Sequence, residues 1–276
     1  MTHSVVSHLT NGFGNNIFQY VAGRLLAEHH GCYHFAQPYP GYYAVEDLKQ
    51  LGVNFTPRPI ISPVQITDKN YAMAYDELLS NQDLVLNGYF EDYTHYIEHI
   101  EKIKSWFPPV TPHSQKTLVI HLRTGDRLKS KNEFYMKPTA KQYLKAISNF
   151  DFDEFHIVTD MPVWRKITAT EFEKMEFQTV TYGQRVTSEE SVSYFNDLVE
   201  AFSRFDPIVQ KRTIVEDFNF IRKSRNILFE HGTLSWWAAV LSDAEKVGVY
   251  GPWRPWKKET NKNLSQIPLD NWFRWE

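Results

Sequence analysis

The sequence predicts a two-domain α/β protein whose second half is built on a parallel sheet. Three observations point there. From residue 117 onward, short apolar runs at 117–122, 154–159, 177–182, 226–230 and 247–251 alternate with helical patterns near 139–149, 162–174, 191–204, 214–224 and 234–242. That alternation is the mark of βαβ units joined into a parallel sheet. Residues 108–115 carry three prolines among short polar residues, the pattern of a linker. The length of 276 residues suits about two domains at roughly 150 residues each. The boundary therefore falls between 1–110 and 111–276.

Composition narrows the class. Hydrophobic residues make up 42% and charged residues 23%, the balance of a soluble globular chain with material for two cores. A net charge of −3 argues against a nucleic-acid partner, which favours a basic excess. Cys32 is the single cysteine, so no internal disulfide forms and a reducing compartment fits. The first thirteen residues lack a basic segment followed by a long apolar one, and no run reaches the roughly 18 apolar residues of a membrane span. A cytoplasmic protein is expected. Aromatics reach 15%, with eight tryptophans; such rings either stack on sugars or fill the core.

The first half reads in order as follows. Residues 4–9 form a first strand, and residues 11–16 a glycine turn. A helix follows over 17–30, with Ile17, Phe18, Val21, Leu25 and Leu26 at helical spacing. Gly31 stops it, and His29 and His30 suit its C-terminal end. A strand, glycine turn and helix in succession aim backbone N–H groups at an anion. Neither G-x-G-x-x-G nor a Gly-Lys-Ser/Thr ending is present, so dinucleotide and Walker fingerprints are absent. Residues 38–63, rich in Pro, Gly and Tyr, read as irregular surface. Residues 83–90 read as a buried strand ending near Gly88. Residues 94–107 read as an amphipathic helix, with Ile97, Ile100, Ile103, Trp106 and Phe107 inward and Pro108–Pro109 as the stop. In the second half, 183–212 is long for a crossover and is expected to add a surface helix.

The stretch 117–127 concentrates the chemistry. A strand rich in β-branched residues runs into His121, Arg123 and Asp126 around Gly125. Open α/β sheets bind ligands at the carboxyl ends of their strands. A guanidinium there donates in a planar fork to phosphate and keeps its charge at any working pH. The plain alternative is a solvated Arg123–Asp126 ion pair. Other patterns are weaker. His95-Tyr96-Ile97-Glu98-His99 matches H-x-x-E-H, which on a helix would set two histidines one turn apart as zinc needs, but no third ligand follows. Asp151-Phe152-Asp153 precedes a strand rather than following one, so a solvated loop is expected. Ser235 has no glycine two positions to either side and is no nucleophile elbow.

Taken together, the motifs resemble the family-11 glycosyltransferases, the α-1,2-fucosyltransferases of the GDP-fucose-dependent superfamily. Residues 12–20 (GFGNNIFQY) look like the opening G-x-G-N-Q-x-F-Q-Y, and residues 88–91 (GYFE) like G-Y-F-Q. Residues 121–126 (HLRTGD) look like H-x-R-R-G-D. Residues 157–160 with Trp164 look like the F-S-D-D strand end and its tryptophan. Glu216-Asp217 looks like the E-D before the penultimate helix, and residues 232–239 (GTLSWWAA) like S-T-F-S-W-W-x-A. Residues 251–253 and 267–268 with Trp272 also fit. Thr124, Gly232, Met161 and Glu91 stand where the pattern has arginine, serine, aspartate and glutamine.

The resemblance implies a GT-B fold, two Rossmann-like domains facing across a cleft, the second binding GDP and the first shaping the acceptor side. It implies inverting transfer of L-fucose from GDP-β-L-fucose to a hydroxyl, O2 of a galactoside, on an oligosaccharide or lipid-linked glycan, with no bound metal and with contact at a membrane face. Arg123 is the implied catalytic cation at the β-phosphate. His121 would meet the diphosphate or nucleoside, and Asp126 would orient Arg123. Thr233, Leu234 and Ser235 would receive phosphate oxygens at a helix start. Gly12, Phe13 and Asn15 would close over the diphosphate, and Asp160 would take guanine N–H groups. Glu91 is the nominal base. A different GDP-sugar, or a lapsed enzyme that binds glycan or nucleotide without transfer, stays open beside this. For Trp236 and Trp237, helix packing is expected of at least one, because neighbouring helix residues do not share a face.

Overall fold

The computed structural model describes residues 4–10, 12–38, 45–76, 82–124, 137–160, 189–210, 212–230, 232–251 and 269–276. The chain divides into two compact units, Met1–Pro109 and Val110–Glu276. Both are α/β, and each is built on an all-parallel sheet.

In the first unit, strand β1 (Ser4–Leu9) leads into helix α1 (Phe13–His29) and strand β2 (Tyr33–Pro38). A short helix α2 (Val45–Lys49), strands β3 (Val64–Ile66) and β4 (Leu84–Leu86) and a short helix α3 (Ile100–Lys104) complete it. The sheet order is β2-β1-β4-β3, all parallel. Val5 and Val6 of β1 are fully buried, because this strand is central. Asp83 fixes the entry to β4: its carboxylate accepts from the Ser4 amide at 3.0 Å, the Ser4 hydroxyl at 2.7 Å and the Ile61 amide at 2.8 Å, and pairs with Arg58 at 2.9 Å. Helix α1 comes close over the sheet at Gly23. A Cβ there would lie 2.0 Å from Ser7 Oγ and 2.6 Å from His34 Nε2, so a larger residue would force those side chains or the helix to shift.

Three expectations for this unit are corrected. Helix α1 starts at Phe13, not Ile17, so most of the expected glycine turn is the helix's first turn. The strand expected over 83–90 stops at Leu86, because beyond it the Asp68 carboxylate takes the amides of Tyr89 and Phe90 away from a strand ladder, and Phe90 has a left-handed φ of +54. The helix expected over 94–107 is two 3-10 turns, Tyr93–His95 and Ile97–His99, followed by α3. Asp92 starts the first turn by accepting from the Thr94 amide at 3.0 Å. Ile97 is exposed instead of facing the core, whereas Ile100, Ile103 and Phe107 are buried.

In the second unit, β5 (Thr117–Leu122), β6 (Glu154–Thr159), β7 (Ile208–Gln210), β8 (Asn226–Phe229), β9 (Lys246–Tyr250) and β10 (Trp272–Trp275) pair in the order β10-β9-β8-β5-β6-β7, all parallel. Helices α4 (Ala140–Ile147), α5 (Glu189–Ala201), α6 (Ile214–Arg222) and α7 (Thr233–Val240) are the described helices. Every residue of β5 is buried, as a strand covered on both faces must be. The segment 183–212 adds a helix, as expected, and also the unexpected β7; β10 is likewise unexpected. The helix expected over 162–174 and the strand over 177–182 lie outside the described residues. Among the described residues, no helix is long and apolar enough to cross a membrane.

One buried carboxyl gives this unit a pH dependence. Burial pushes Asp217 up from 3.8 to about 7 despite the nearby Arg212, and its Oδ1 is buried without a hydrogen-bond partner. The folded chain therefore holds a proton that the unfolded chain has lost. Stability from this group is present below its unfolded value and declines as pH rises through about 7. Thermal unfolding at about pH 5 and about pH 8 checks this: Asp217→Asn shrinks the loss between the two conditions.

Candidate active site

Both sheets have a switch point where the order reverses, and it is there that open α/β sheets leave a ligand crevice. In the second unit it lies between β5 and β8, since β6 and β7 extend one way and β9 and β10 the other. The end of β5 and the start of the helix after β8 carry five of the ten expected donor residues, His121, Arg123, Thr233, Leu234 and Ser235. His121, buried near the end of β5, hydrogen-bonds through Nδ1 to the hydroxyl of Ser235 in the first turn of α7. This contact ties together two motifs that are 114 residues apart. Arg123 follows, half-buried. The next amide, that of Thr124, donates to the Asp160 carboxylate at 2.9 Å, so the end of β6 braces the end of β5.

Helix α7 starts without a side-chain cap. Gly232 is its N-cap, and its first turn has no acidic residue. Helix α1 starts the same way, from Gly12. By contrast, α4 and α6 begin with complete capping boxes, Thr139 with Gln142 and Thr213 with Glu216. A capping side chain occupies the amides that an anion would otherwise take. The two helices that leave the switch points thus start without a side-chain cap at their positively polarised ends. Ser235 is fully buried and its hydroxyl already engages His121, so it orients the imidazole. The half-buried Thr233 and Leu234 stand at the open end of the helix.

Other expected residues fare differently. Asp160 is exposed, and one of its oxygens holds the Thr124 amide. Bracing the strand end is therefore a role the sequence did not suggest for it. Thr124 is 1% exposed and its hydroxyl has no hydrogen-bond partner, so a buried short side chain replaces the expected second arginine. A Cβ on Gly232 would meet Ser235 Oγ at an ordinary 3.6 Å, so sterics do not demand glycine there. Asp126 lies outside the described residues. Trp236 and Trp237 are both buried and meet edge to face at 4.9 Å. Both pack, because α7 is enclosed on nearly every side.

In the first unit the switch point lies between β1 and β4. Gln19, on α1, bridges the two loops there. Its carbonyl accepts from the Thr10 amide at 3.1 Å, and its amide donates to Thr10 Oγ1 at 2.9 Å and to the Gly88 carbonyl at 2.8 Å. Gly12 and the half-buried Asn15 stand at the start of α1, with Phe13 turned into the core. Glu91, half-buried, follows β4 by five residues. The left-handed Phe90 before it is a conformation that costs about 1–3 kcal/mol and persists only when its surroundings enforce it. Here they do: Asp68 accepts from its amide at 2.6 Å, and the Tyr96 hydroxyl donates to its carbonyl.

The sequence reading missed Gln19, Asp68 and Glu230. A glutamine on the buried face of an apolar helix was a usable signal for the first; Asp68 had none. Glu230 directly follows β8, is buried, and accepts from the Tyr143 hydroxyl. Burial and this carboxylate push the Tyr143 hydroxyl far above its ordinary range. The zinc pattern is not on one helix. His95 sits in the first 3-10 turn with its ring 4.8 Å from Tyr71, and burial lowers its pKa. Among the described residues, no group of three or more His, Cys, Asp or Glu is arranged to hold a metal. A polar pocket of about 290 Å³, lined by His113, Gln115, Thr117, Glu154, His156 and Phe220, opens at the starts of β5 and β6, the opposite end of the sheet.

The fold and site therefore define an α/β protein with two parallel sheets, whose second unit sets a cation and a helix start without a side-chain cap at its switch point. No protein-family model matches the chain, and no curated protein matches it. Among solved structures it is similar to a variant of FUT1 from Arabidopsis thaliana in complex with GDP, at 9% identity and a TM-score of 0.49, over 91% of this chain and 71% of that one. It is also similar to the iron-containing dodecameric glycosyltransferase TibC from enterotoxigenic E. coli, at 10% identity and a TM-score of 0.40, over 96% of this chain and 65% of that one. TibC is also described as a heptosyltransferase in complex with ADP-D-beta-D-heptose.

Proposed function

We propose that the chain is an inverting glycosyltransferase that moves L-fucose from GDP-β-L-fucose to a glycan hydroxyl, O2 of a galactoside, without a bound metal. The observation that carries this reading is the His121–Ser235 hydrogen bond across the β5–β8 switch point, next to Arg123. It supports a diphosphate seat made of a cation, an oriented imidazole and the N-terminal end of α7. In this reading the second unit takes the GDP-sugar, with Asp126 orienting Arg123 and Asp160 taking guanine N–H groups. The first unit takes the acceptor, while Gly12, Phe13 and Asn15 at the start of α1 serve the diphosphate of the donor.

The reaction needs little else. An acceptor hydroxyl attacks C1 of the sugar as the bond to the β-phosphate oxygen breaks. Its proton passes to a base, for which Glu91 is the candidate, and GDP leaves with the bonding pair. Negative charge grows on the β-phosphate as the bond breaks. A cation held there stabilises the transition state more than the ground state. A second reading, the same chemistry with another GDP-sugar, is favoured by the buried Thr124 where the resemblance expects arginine.

The test is turnover of GDP-fucose in EDTA against a panel of galactose-terminated oligosaccharides. Acceptor-dependent GDP release, unchanged by added magnesium, is the expected result. Turnover that requires a metal removes the metal-free mechanism. Turnover with another GDP-sugar alone selects the second reading, and GDP binding without any transfer marks a lapsed enzyme.

A further inference from the structure

One large aromatic is held out in solvent at the first unit's switch point, on a loop whose backbone is pinned from several sides. Tyr89 is 49% exposed, two residues before Glu91. Its amide donates to Asp68 Oδ2 at 3.1 Å, and the next amide, of Phe90, to Asp68 Oδ1 at 2.6 Å. The preceding carbonyl, of Gly88, accepts from Gln19 at 2.8 Å, and the amide of Asn87 donates to the Ile66 carbonyl at 2.7 Å. Asp68 approaches so closely that a Cβ on Gly88 would lie 2.5 Å from Oδ2. Phe90 anchors the other side, buried against Tyr71 at 5.1 Å.

An exposed aromatic on a floppy loop gives little, because ordering it on binding has an entropic cost. A tyrosine on a fixed backbone has only its side-chain torsions left to settle. It offers wide amphipathic contact at a low ordering cost. Its ring matches the C–H face of a pyranose, and its hydroxyl can bond a ring substituent.

We propose that Tyr89 is the platform on which the acceptor sugar stacks, with Asp68 as the positioning residue that holds it. This rests on the reading above that the first unit takes the acceptor, and it adds the surface that would orient a galactoside toward Glu91.

The experiment pairs initial-rate kinetics with saturation-transfer NMR, using methyl β-D-galactoside as the probe. Tyr89→Ala raises the acceptor KM by at least about tenfold, the loss typical of a truncated aromatic anchor, while the affinity for GDP stays the same. Tyr89→Phe restores most of the acceptor affinity, because the ring remains. Asp68→Ala shifts the same KM in the same direction and speeds amide exchange at Tyr89 and Phe90. An acceptor KM unchanged in Tyr89→Ala overturns the proposal while leaving transferase activity intact. If no GDP-sugar is turned over, the functional reading fails on its own, and the NMR arm decides this one. Galactoside signals present in the wild type and lost in Tyr89→Ala uphold it, whereas their absence from the wild type overturns it.

Discussion

Arg123→Ala lowers GDP-sugar turnover by about 10²–10³, the cost of removing one charge-stabilising donor, about 2.7–4 kcal/mol. The backbone around Arg123 is braced independently of its side chain, by the Thr124 amide on Asp160 and by His121 on Ser235. The variant therefore keeps its loop and loses its cation. Arg123→Lys keeps the charge without the planar fork and falls between the two. Initial rates of GDP release measure the effect, with GDP-induced thermal shifts showing that the variants are folded. Wild-type rates in Arg123→Ala would remove this residue from the mechanism.

Trp237→Ala destabilises the second unit by about 3–5 kcal/mol, the range for emptying a large aromatic site in a core. Trp237 is fully buried, and its neighbour Trp236 packs on it and, at 6.3 Å, on Trp272 of β10. Trp237 is 0% exposed on a helix that is buried on nearly every side, so the upper part of the range is expected. The same helix presents Thr233 and Leu234 at its start, so loosening its packing also weakens GDP binding. Denaturant unfolding reads the first effect and titration with GDP the second. A loss under about 1 kcal/mol would show that α7 is less tightly enclosed than its burial implies.

The regular half of the chain was legible because its strands are buried on both faces and so read as unbroken apolar runs. β5 and β6 are found with the limits their sequence suggested, and β8 and β9 with shifts of one residue. Elements governed by distant partners were not legible. The strand after Asp83 is cut short by the carboxylate of Asp68, which takes the amides of Tyr89 and Phe90 from 21 and 22 residues away. Residues 94–107 carry helical spacing, yet the Asp92 cap and the Tyr96 bond to Phe90 favour tighter turns. β7 has three residues and no alternation to detect. For the site, the residue types at the end of β5 were readable, but the Ser235 contact that orients His121 was not. Sequence spacing says nothing about which helix start will meet which strand end. The brace from Asp160 was hidden for the same reason.

Strand pairing that is parallel throughout also shapes how the chain finds its fold. Every strand must wait for a partner that a hairpin cannot supply. Ser4 meets Asp83 across 79 residues, and His121 meets Ser235 across 114. Closing such long loops is entropically costly before any contact offsets it, so folding is slow for a chain of this size. Until β8 docks beside β5, the largely apolar β5 presents an open edge to other chains. Refolding yield should therefore fall with protein concentration, even under conditions where the finished molecule is stable.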